Sequence, residues 1–162
     1  ISSKPVVASH SGCAAVNEHI RCKPDEVIRA IVDSGGFIGI CCIPEFLGRS
    51  NDIQALLDHI DYVAKRFGVD HVAIGTDTSY TSRQMAAEQR KLSPRRRVRH
   101  RWEYFWPEGA LGGRINEKAR LSLSWTNWPL FTVGLVQRGY SDGDIQKILG
   151  GNVLRVAKAV LA

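Results

Sequence analysis

Residues 37–43 read Phe-Ile-Gly-Ile-Cys-Cys-Ile, and residues 71–77 read His-Val-Ala-Ile-Gly-Thr-Asp. Short apolar runs of this kind are typical of strands that are buried on both faces. Between them, residues 51–67 carry apolar side chains at helical spacing behind an Asn or Asp cap, and Gly68 follows. A strand, a helix and a second strand in this order predict a βαβ unit with parallel strands.

The same pattern extends towards the N-terminus. Residues 5–9, Pro-Val-Val-Ala-Ser, form a third apolar run, and Pro24 with two acidic residues begins a predicted helix. The sequence therefore predicts an α/β protein whose parallel strands at 5–9, 37–43 and 71–76 lie side by side, with outer helices at about 24–34 and 51–67. Because three strands cannot bury a parallel sheet on both faces, further strands are expected from elsewhere.

The C-terminal part reads as helical. Helices are predicted over 127–138, over 145–149 and from residue 153 to the end. In the first of them, we expect the inner side to carry Leu130, Val133, Gly134 and Val136.

Composition and charge describe a globular body with one unusual segment. The chain has 162 residues, of which 44% are hydrophobic, so it is one domain and not a disordered chain. Residues 78–124 hold 11 of the 22 basic residues but only 4 of the 16 acidic ones, and they include an Arg-rich run at 95–101 followed by aromatic residues at 102–106. A long insertion loop is predicted here, with exposed arginines and packed aromatics. Basic and aromatic residues together can bind single-stranded nucleic acid, but the neutral body favours a solvated loop or docking arm.

The sequence also bears on the protein's surroundings. No run approaches 18 apolar residues, and the N-terminus has neither a signal-peptide layout nor an initiator Met. We therefore expect no membrane span and a chain that begins inside a longer protein. The four cysteines are expected to be reduced packing residues. No compartment is identified, although a soluble cytoplasmic protein is expected rather than a secreted one.

Three polar residues could carry chemistry. His10 follows the first predicted strand and Asp77 follows the third, and ligands of parallel α/β proteins collect at such strand ends. His10 could bind zinc, Asp77 could accept a proton, and Arg21, in the loop after His10, could bind a carboxylate. Each has a plainer interpretation, namely a polar loop residue, a turn or cap residue and a surface arginine. His59 is expected on a helix surface.

Several blocks resemble the renal (membrane) dipeptidase family, peptidase family M19. They include Pro-Val-Val-Ala-Ser-His-Ser at 5–11 and Gly-Val-Asp-His-Val-Ala-Ile-Gly-Thr-Asp at 68–77. Further blocks in the same order lie at 21–27, 35–39, 58–62, 138–141 and 148–156.

The resemblance implies a (β/α)8 TIM barrel of the metal-dependent amidohydrolase type. It also implies hydrolysis of the amide bond of dipeptides by a metal-activated water at a two-zinc site. By the family's pattern, His10 is a zinc ligand, Arg21 binds the terminal carboxylate of the substrate, and Asp77 accepts the proton of the attacking water.

The departures define what this chain lacks. The family's other zinc ligands lie before the Ser-His-Ser block, so residues 1–162 are expected to be the C-terminal part of one barrel domain, about three βα units with terminal helices and an insertion at 78–124. The chain alone should be inactive. Its expected partners are a dipeptide-like substrate, the N-terminal remainder of the barrel and other copies of the complete enzyme. Because Thr78 follows Asp77 and Cys41 stands where many relatives have Asn, a catalytically silent binding protein remains the alternative.

Overall fold

The structure, a computed structural model, describes residues 2–78, 84–91 and 116–161. The strands in these ranges are β1 (Ala8–Cys13), β2 (Cys22–Lys23), β3 (Ile38–Ile40) and β4 (Val72–Ile74). The α-helices are α1 (Asp25–Asp33), α2 (Pro44–Leu47), α3 (Ile53–Phe67), α4 (Met85–Lys91), α5 (Glu117–Ser122), α6 (Trp128–Gln137), α7 (Asp142–Gln146) and α8 (Asn152–Leu161). Short 3-10 turns cover Val69–His71 and Trp125–Asn127, and a wide turn, Lys147–Gly151, connects α7 with α8.

The strands form one parallel sheet in the order β2-β1-β3-β4. The predicted parallel arrangement of three neighbouring strands is therefore confirmed. The sequence pattern missed β2, which pairs with the end of β1 through Gly12↔Cys22 and Cys13↔Lys23, because a two-residue strand has no periodicity.

The first strand lies later in the chain than predicted. It covers Ala8–Cys13 rather than residues 5–9, and Val6 and Val7 are exposed. The apolar run was misleading, because the buried end of this strand is made of small residues, Ser11, Gly12 and Cys13. β3 and β4 are likewise shorter than predicted, although backbone hydrogen bonds continue the pairing one or two residues beyond them.

The two faces of the sheet differ in the size of their side chains. Since successive strand residues point to opposite faces, the isoleucines of β3 and the outer residues of β4 share one face. That face packs on the largest core cluster, which includes α3 and the buried residues of α6. The opposite face carries Gly39 and Ala73, and Ala73 packs with Phe37 and Val156.

Helix α6 is rotated relative to the prediction. Phe131, Gly134 and Leu135 are buried, whereas Leu130, Val133 and Val136 are exposed. The glycine decides the orientation, because a Cβ at Gly134 would lie 2.6 Å from the Leu57 side chain of α3. The two helices therefore approach closely at that point, and the exposed apolar stripe faces away from the core.

The last helix is fastened to the amino-terminal end of the sheet by polar side chains. Buried Asn152 donates to the backbone carbonyls of Val69 and Val72, both at 2.8 Å. Arg155 donates to the carbonyls of Gly35 and Asp70, both at 2.7 Å.

The region from 78 to 124 is not wholly a loop. It contains α4 and α5, and Asn116 caps α5 by accepting the Lys118 N–H. The Arg-rich run at 95–101 and the aromatic residues at 102–106 lie outside the described residues, so the prediction for their exposure stays a prediction.

Candidate active site

The candidate site is built around a bulge in β1. Between the paired positions Ala8↔Ile38 and Ser11↔Ile40, β1 advances three residues while β3 advances two. The extra residue lies in the Ser9–His10 segment. His10 therefore lies inside the strand, whereas the sequence had predicted that it follows the end of the strand. Bulges occur next to active sites because they redirect a side chain that regular pleating would aim elsewhere.

Two glycines make room for this bulge. A Cβ at either Gly39 or Gly75 would overlap the Ser9 carbonyl oxygen. The backbone of Ser9 therefore occupies space on the small-residue face of the sheet where side chains would otherwise lie. No pattern in the sequence distinguished these glycines from ordinary strand glycines.

His10 and Asp77 lie close together beside the carboxyl end of β4, on one side of the sheet as the sequence predicted. The His10 Nε2 and the Asp77 Oδ1 are 4.0 Å apart, and the two side chains are 42% and 39% exposed. This distance exceeds that of a hydrogen bond, so both atoms remain accessible to a third group. The other ring nitrogen, Nδ1, lies 2.8 Å from the Ser9 hydroxyl.

Asp77 reaches this position through an unusual backbone conformation. The Thr76 carbonyl still accepts the Cys42 N–H at 2.9 Å, and Asp77 then turns with φ of 53°. Asp and Asn enter this left-handed region more easily than other residues with a Cβ. Such strained positions persist where the surrounding structure enforces them, and they cluster at functional sites.

Arg21 lies in the connection between β1 and β2, and its backbone is held on both sides. Its N–H donates to His19 Nδ1 at 3.1 Å, and its carbonyl accepts the Ser11 hydroxyl at 2.6 Å. The guanidinium lies over the Phe46 ring, 5.3 Å from the ring centre, and the His19 ring stacks on the same Phe46 at 4.8 Å. The structure thus connects Arg21 to the His10 segment through Ser11.

The four cysteines of the chain are packing residues. All four are buried and free, as expected for reduced thiols. Burial is the largest cause that raises the pKa of Cys41 to about 12, and the charge of Asp77 adds to the increase. Burial also raises the pKa of Cys22 to about 11 and that of Cys42 to about 12. These thiols are therefore neutral and held among buried side chains, in keeping with the expectation that they are packing residues.

His59 was misjudged in the sequence. It is fully buried rather than on a helix surface, its Nδ1 accepts the Cys13 N–H at 3.0 Å, and its Nε2 lies 3.1 Å from the Leu47 carbonyl. Its spacing from Leu56 and Val63 on α3 was the available signal, since both are buried on the same helix face. His59 therefore joins β1 to the segment before α3.

The donor set fits zinc in kind but not in number. An imidazole nitrogen that faces a carboxylate provides two ligand types that zinc accepts. Within residues 2–78, 84–91 and 116–161, however, no group of three or more His, Cys, Asp or Glu side chains could hold a metal ion.

Among the described residues, no helix has the length and apolar character needed to cross a bilayer.

The fold is similar to that of solved hydrolases. An amidohydrolase from Pseudomonas aeruginosa aligns with 98% of this chain and 46% of its own, with a TM-score of 0.70 and 26% identity. A metallo peptidase from Rhodobacter sphaeroides, solved with a phosphinate mimic of the dipeptide L-Ala-D-Ala, aligns with 98% of this chain and 37% of its own, with a TM-score of 0.66 and 22% identity. The α/β fold with a parallel sheet is thus shared with hydrolases of this class.

The sequence comparisons identify the family. The family model for membrane dipeptidase, peptidase family M19, matches residues 1–89, and the chain belongs to this family. Dipeptidase verJ of Clonostachys rogersoniana is 30% identical over 161 residues, and dipeptidase ataJ of Aspergillus terreus is 29% identical over 164 residues. Each alignment covers 99% of this chain but 33% and 32% of the relative, so the chain spans about a third of these curated proteins.

Proposed function

We propose that this chain contributes to a dipeptidase active site that hydrolyses the amide bond of dipeptides. The observation that carries the proposal is the His10–Asp77 pair, which the bulge of β1 and the left-handed turn after β4 bring within 4.0 Å. Membership of the membrane dipeptidase family supports it.

Each of the three residues has a separate role in the proposal. His10 would hold a zinc ion through its exposed Nε2, while Nδ1 stays against the Ser9 hydroxyl. When bound, zinc supplies Lewis-acid polarisation and a more acidic water. Asp77 accepts the proton of the attacking water, and Arg21, stacked on Phe46, binds the terminal carboxylate of the dipeptide through its guanidinium.

The chain is proposed to be the C-terminal part of a (β/α)8 barrel whose remainder supplies the other ligands. Two observations support this. The described sheet is open, with β2 and β4 at its edges, whereas the strands of a (β/α)8 barrel pair all the way round and leave no edge. Several large apolar side chains are also exposed, among them Leu130, Val133, Val136, Leu154 and Leu161. Self-association of the complete enzyme stays a prediction.

The test compares three variants of the complete enzyme. Asp77→Asn should keep zinc and lower kcat by roughly 10²–10⁴-fold, because the amide tolerates the left-handed turn but cannot accept the proton. His10→Ala should lower the zinc content. Arg21→Ala should raise KM for dipeptides with a free carboxylate more than for their amides.

Two matched controls separate these effects from general damage. Asp33→Asn changes an exposed aspartate at the end of α1, and Arg29→Ala removes an arginine that stacks on Phe67 at 4.8 Å, as Arg21 does on Phe46. Both should behave as wild type in kcat, KM and zinc content. Wild-type turnover of Asp77→Asn would reject Asp77 as the proposed base. A complete wild-type enzyme that cleaves no dipeptide would instead favour the catalytically silent alternative. Dipeptide hydrolysis by residues 1–162 alone would reject the shared site.

A further inference from the structure

Two serines flank His10, and their hydroxyls are bonded to different partners. The Ser9 hydroxyl lies 2.8 Å from His10 Nδ1. The Ser11 hydroxyl donates to the Arg21 carbonyl at 2.6 Å. Two of the three proposed functional residues, His10 and Arg21, are therefore each in contact with a different serine.

The bulge explains why two residues so close in the chain serve different partners. Ser9 lies in the irregular stretch, and both Ser9 and His10 are exposed. Ser11 returns to regular pairing opposite Ile40, where its carbonyl accepts the Cys41 N–H at 2.9 Å, and it is 1% exposed. The Ser9 hydroxyl thus lies at the exposed surface beside His10, and the Ser11 hydroxyl points into the protein towards the loop that carries Arg21.

Ser9 restrains the imidazole of His10. With Nδ1 against the serine hydroxyl, Nε2 is the nitrogen that lies towards Asp77. The Ser9 backbone cannot shift freely, because its carbonyl is lodged against Gly39 and Gly75. A hydrogen bond to the second ring nitrogen is the usual way in which proteins orient a metal-binding histidine.

Ser11 restrains Arg21 through the backbone. Its bond to the Arg21 carbonyl, together with the bond from the Arg21 N–H to His19, holds that residue in place on both sides. The guanidinium then lies over Phe46, whose carbonyl is in turn bound by Asn17 at 3.0 Å and Cys22 at 3.2 Å. A fixed backbone and a fixed ring together define where the guanidinium can reach.

We infer that Ser9 and Ser11 are two independent positioning residues, Ser9 for the metal-binding imidazole and Ser11 for the carboxylate-binding arginine. The inference rests on the proposed function, because it assigns to each serine the group that this function requires. It predicts that the two serines affect different steps, although only one residue separates them.

The experiment measures two properties of the complete enzyme for each variant. Ser9→Ala should weaken zinc binding by roughly 10–100-fold in chelator competition, and Ser9→Thr, which keeps the hydroxyl, should restore it. Ser11→Ala should leave zinc affinity unchanged and should raise KM for dipeptides with a free carboxylate. The loss in kcat/KM should reach up to about 100-fold, since small misplacements have effects of this size, and C-terminally amidated dipeptides should be affected less.

Double-mutant cycles separate positioning from a loss of fold. If Ser11 acts through Arg21, Ser11→Ala should have no further effect on carboxylate selectivity once Arg21→Ala is present. In the same way, Ser9→Ala should have no further effect on zinc affinity in the His10→Ala enzyme. A general structural defect would instead add its own loss in both backgrounds, and this result would overturn the inference.

Other outcomes overturn either the inference or the proposed function, and they can be told apart. If Ser9→Ala and Ser11→Ala lowered zinc affinity equally, the inference would be overturned. The proposed function would still stand if the wild-type enzyme binds zinc and cleaves dipeptides. A wild-type enzyme that binds no zinc and cleaves no dipeptide would overturn the function. Crystal structures of the variants provide a readout that does not depend on activity: the His10 ring should reorient in Ser9→Ala only, and the Arg21 backbone should shift in Ser11→Ala only.

Discussion

Acidification should destabilise this protein through His59, a residue outside the candidate site. The side chain is fully buried, and both of its nitrogens bond to backbone groups. Since the Cys13 N–H can only donate, Nδ1 must be the acceptor, and Nε2 then donates its proton to the Leu47 carbonyl. A proton added to Nδ1 would meet the Cys13 N–H, so the folded state requires the neutral ring.

The size of the effect follows from this geometry. Burial is the main cause that lowers the pKa of His59 below its ordinary value of about 6.5, with a smaller contribution from Arg49, and the bond to Leu47 and the charge of Asp58 oppose it. Below about pH 6.5, His59 becomes protonated in the unfolded chain but stays neutral in the folded chain. The free energy of unfolding should therefore fall by up to about 1.4 kcal/mol for each pH unit until the folded-state pKa is reached. Replacement by alanine leaves two buried backbone groups unpaired, at about 1–3 kcal/mol each.

Urea unfolding at pH 7.5 and pH 5.5, followed by tryptophan fluorescence, measures both effects. The wild-type protein should lose stability at the lower pH. His59→Gln, which can donate and accept but does not titrate, should lose less between the two conditions. His71→Gln is the matched control, because His71 bonds to the Gly36 carbonyl through Nδ1 at 2.8 Å and its replacement leaves His59 in place. An acid-induced loss as large in His59→Gln as in wild type would refute the argument.

Three further predictions concern packing and charge. Gly75→Ala should cost about 1–3 kcal/mol in urea unfolding, because the new methyl would overlap the bulged carbonyl of β1, whereas Gly143→Ala, whose nearest neighbouring atom is 3.9 Å away, should be neutral or stabilising. Asn152→Ala should lower the free energy of unfolding by at least about 1–3 kcal/mol, the cost of unpairing the buried Val72 carbonyl, and loss of the bond to the partly buried Val69 carbonyl should add a smaller amount; an unchanged urea midpoint would contradict this. Burial opposes ionisation of Asp61, but hydrogen bonds from Lys65, Tyr140 and Arg138 prevail and lower its pKa. Its stabilisation is therefore present above about pH 4 and is lost as the pH falls through the folded-state pKa. Acid titration of Asp61→Asn should show a shallower loss there, and an unchanged profile would exclude this role.

Much of the fold was accessible from local patterns. Helices α1 and α3 were predicted within one or two residues, because Pro24 and Asp52 begin them and Gly35 and Gly68 follow their ends. These signals are local, since a cap or a left-handed glycine acts within one turn of chain. The order and parallel direction of the three main strands followed from their alternation with helices.

The candidate site was only partly accessible. The sequence placed His10 and Asp77 on one side of the sheet, and their side chains do lie close together. It missed that His10 lies inside β1, because the bulge that presents His10 depends on Gly39 and Gly75 from two other parts of the chain. The orientation of α6 likewise depended on Gly134, whose role is visible only against Leu57 of α3. A glycine in the sequence shows freedom of the backbone and does not show which neighbour will occupy the space.

The sequence by itself determined the α/β class, the ends of α1 and α3, the family and the residue types available for chemistry, whereas the helix predicted over 145–149 covers Asp142–Gln146 instead. Tertiary structure decided which of those residues meet. It placed His59 in the core, turned Asp77 towards His10, and bonded Ser9 and Ser11 to different partners. The physical reason is that capping and periodicity act between near neighbours in the chain, whereas a hydrogen bond between Ser11 and Arg21, or the fit of a carbonyl against two glycines, exists only once distant segments are packed together.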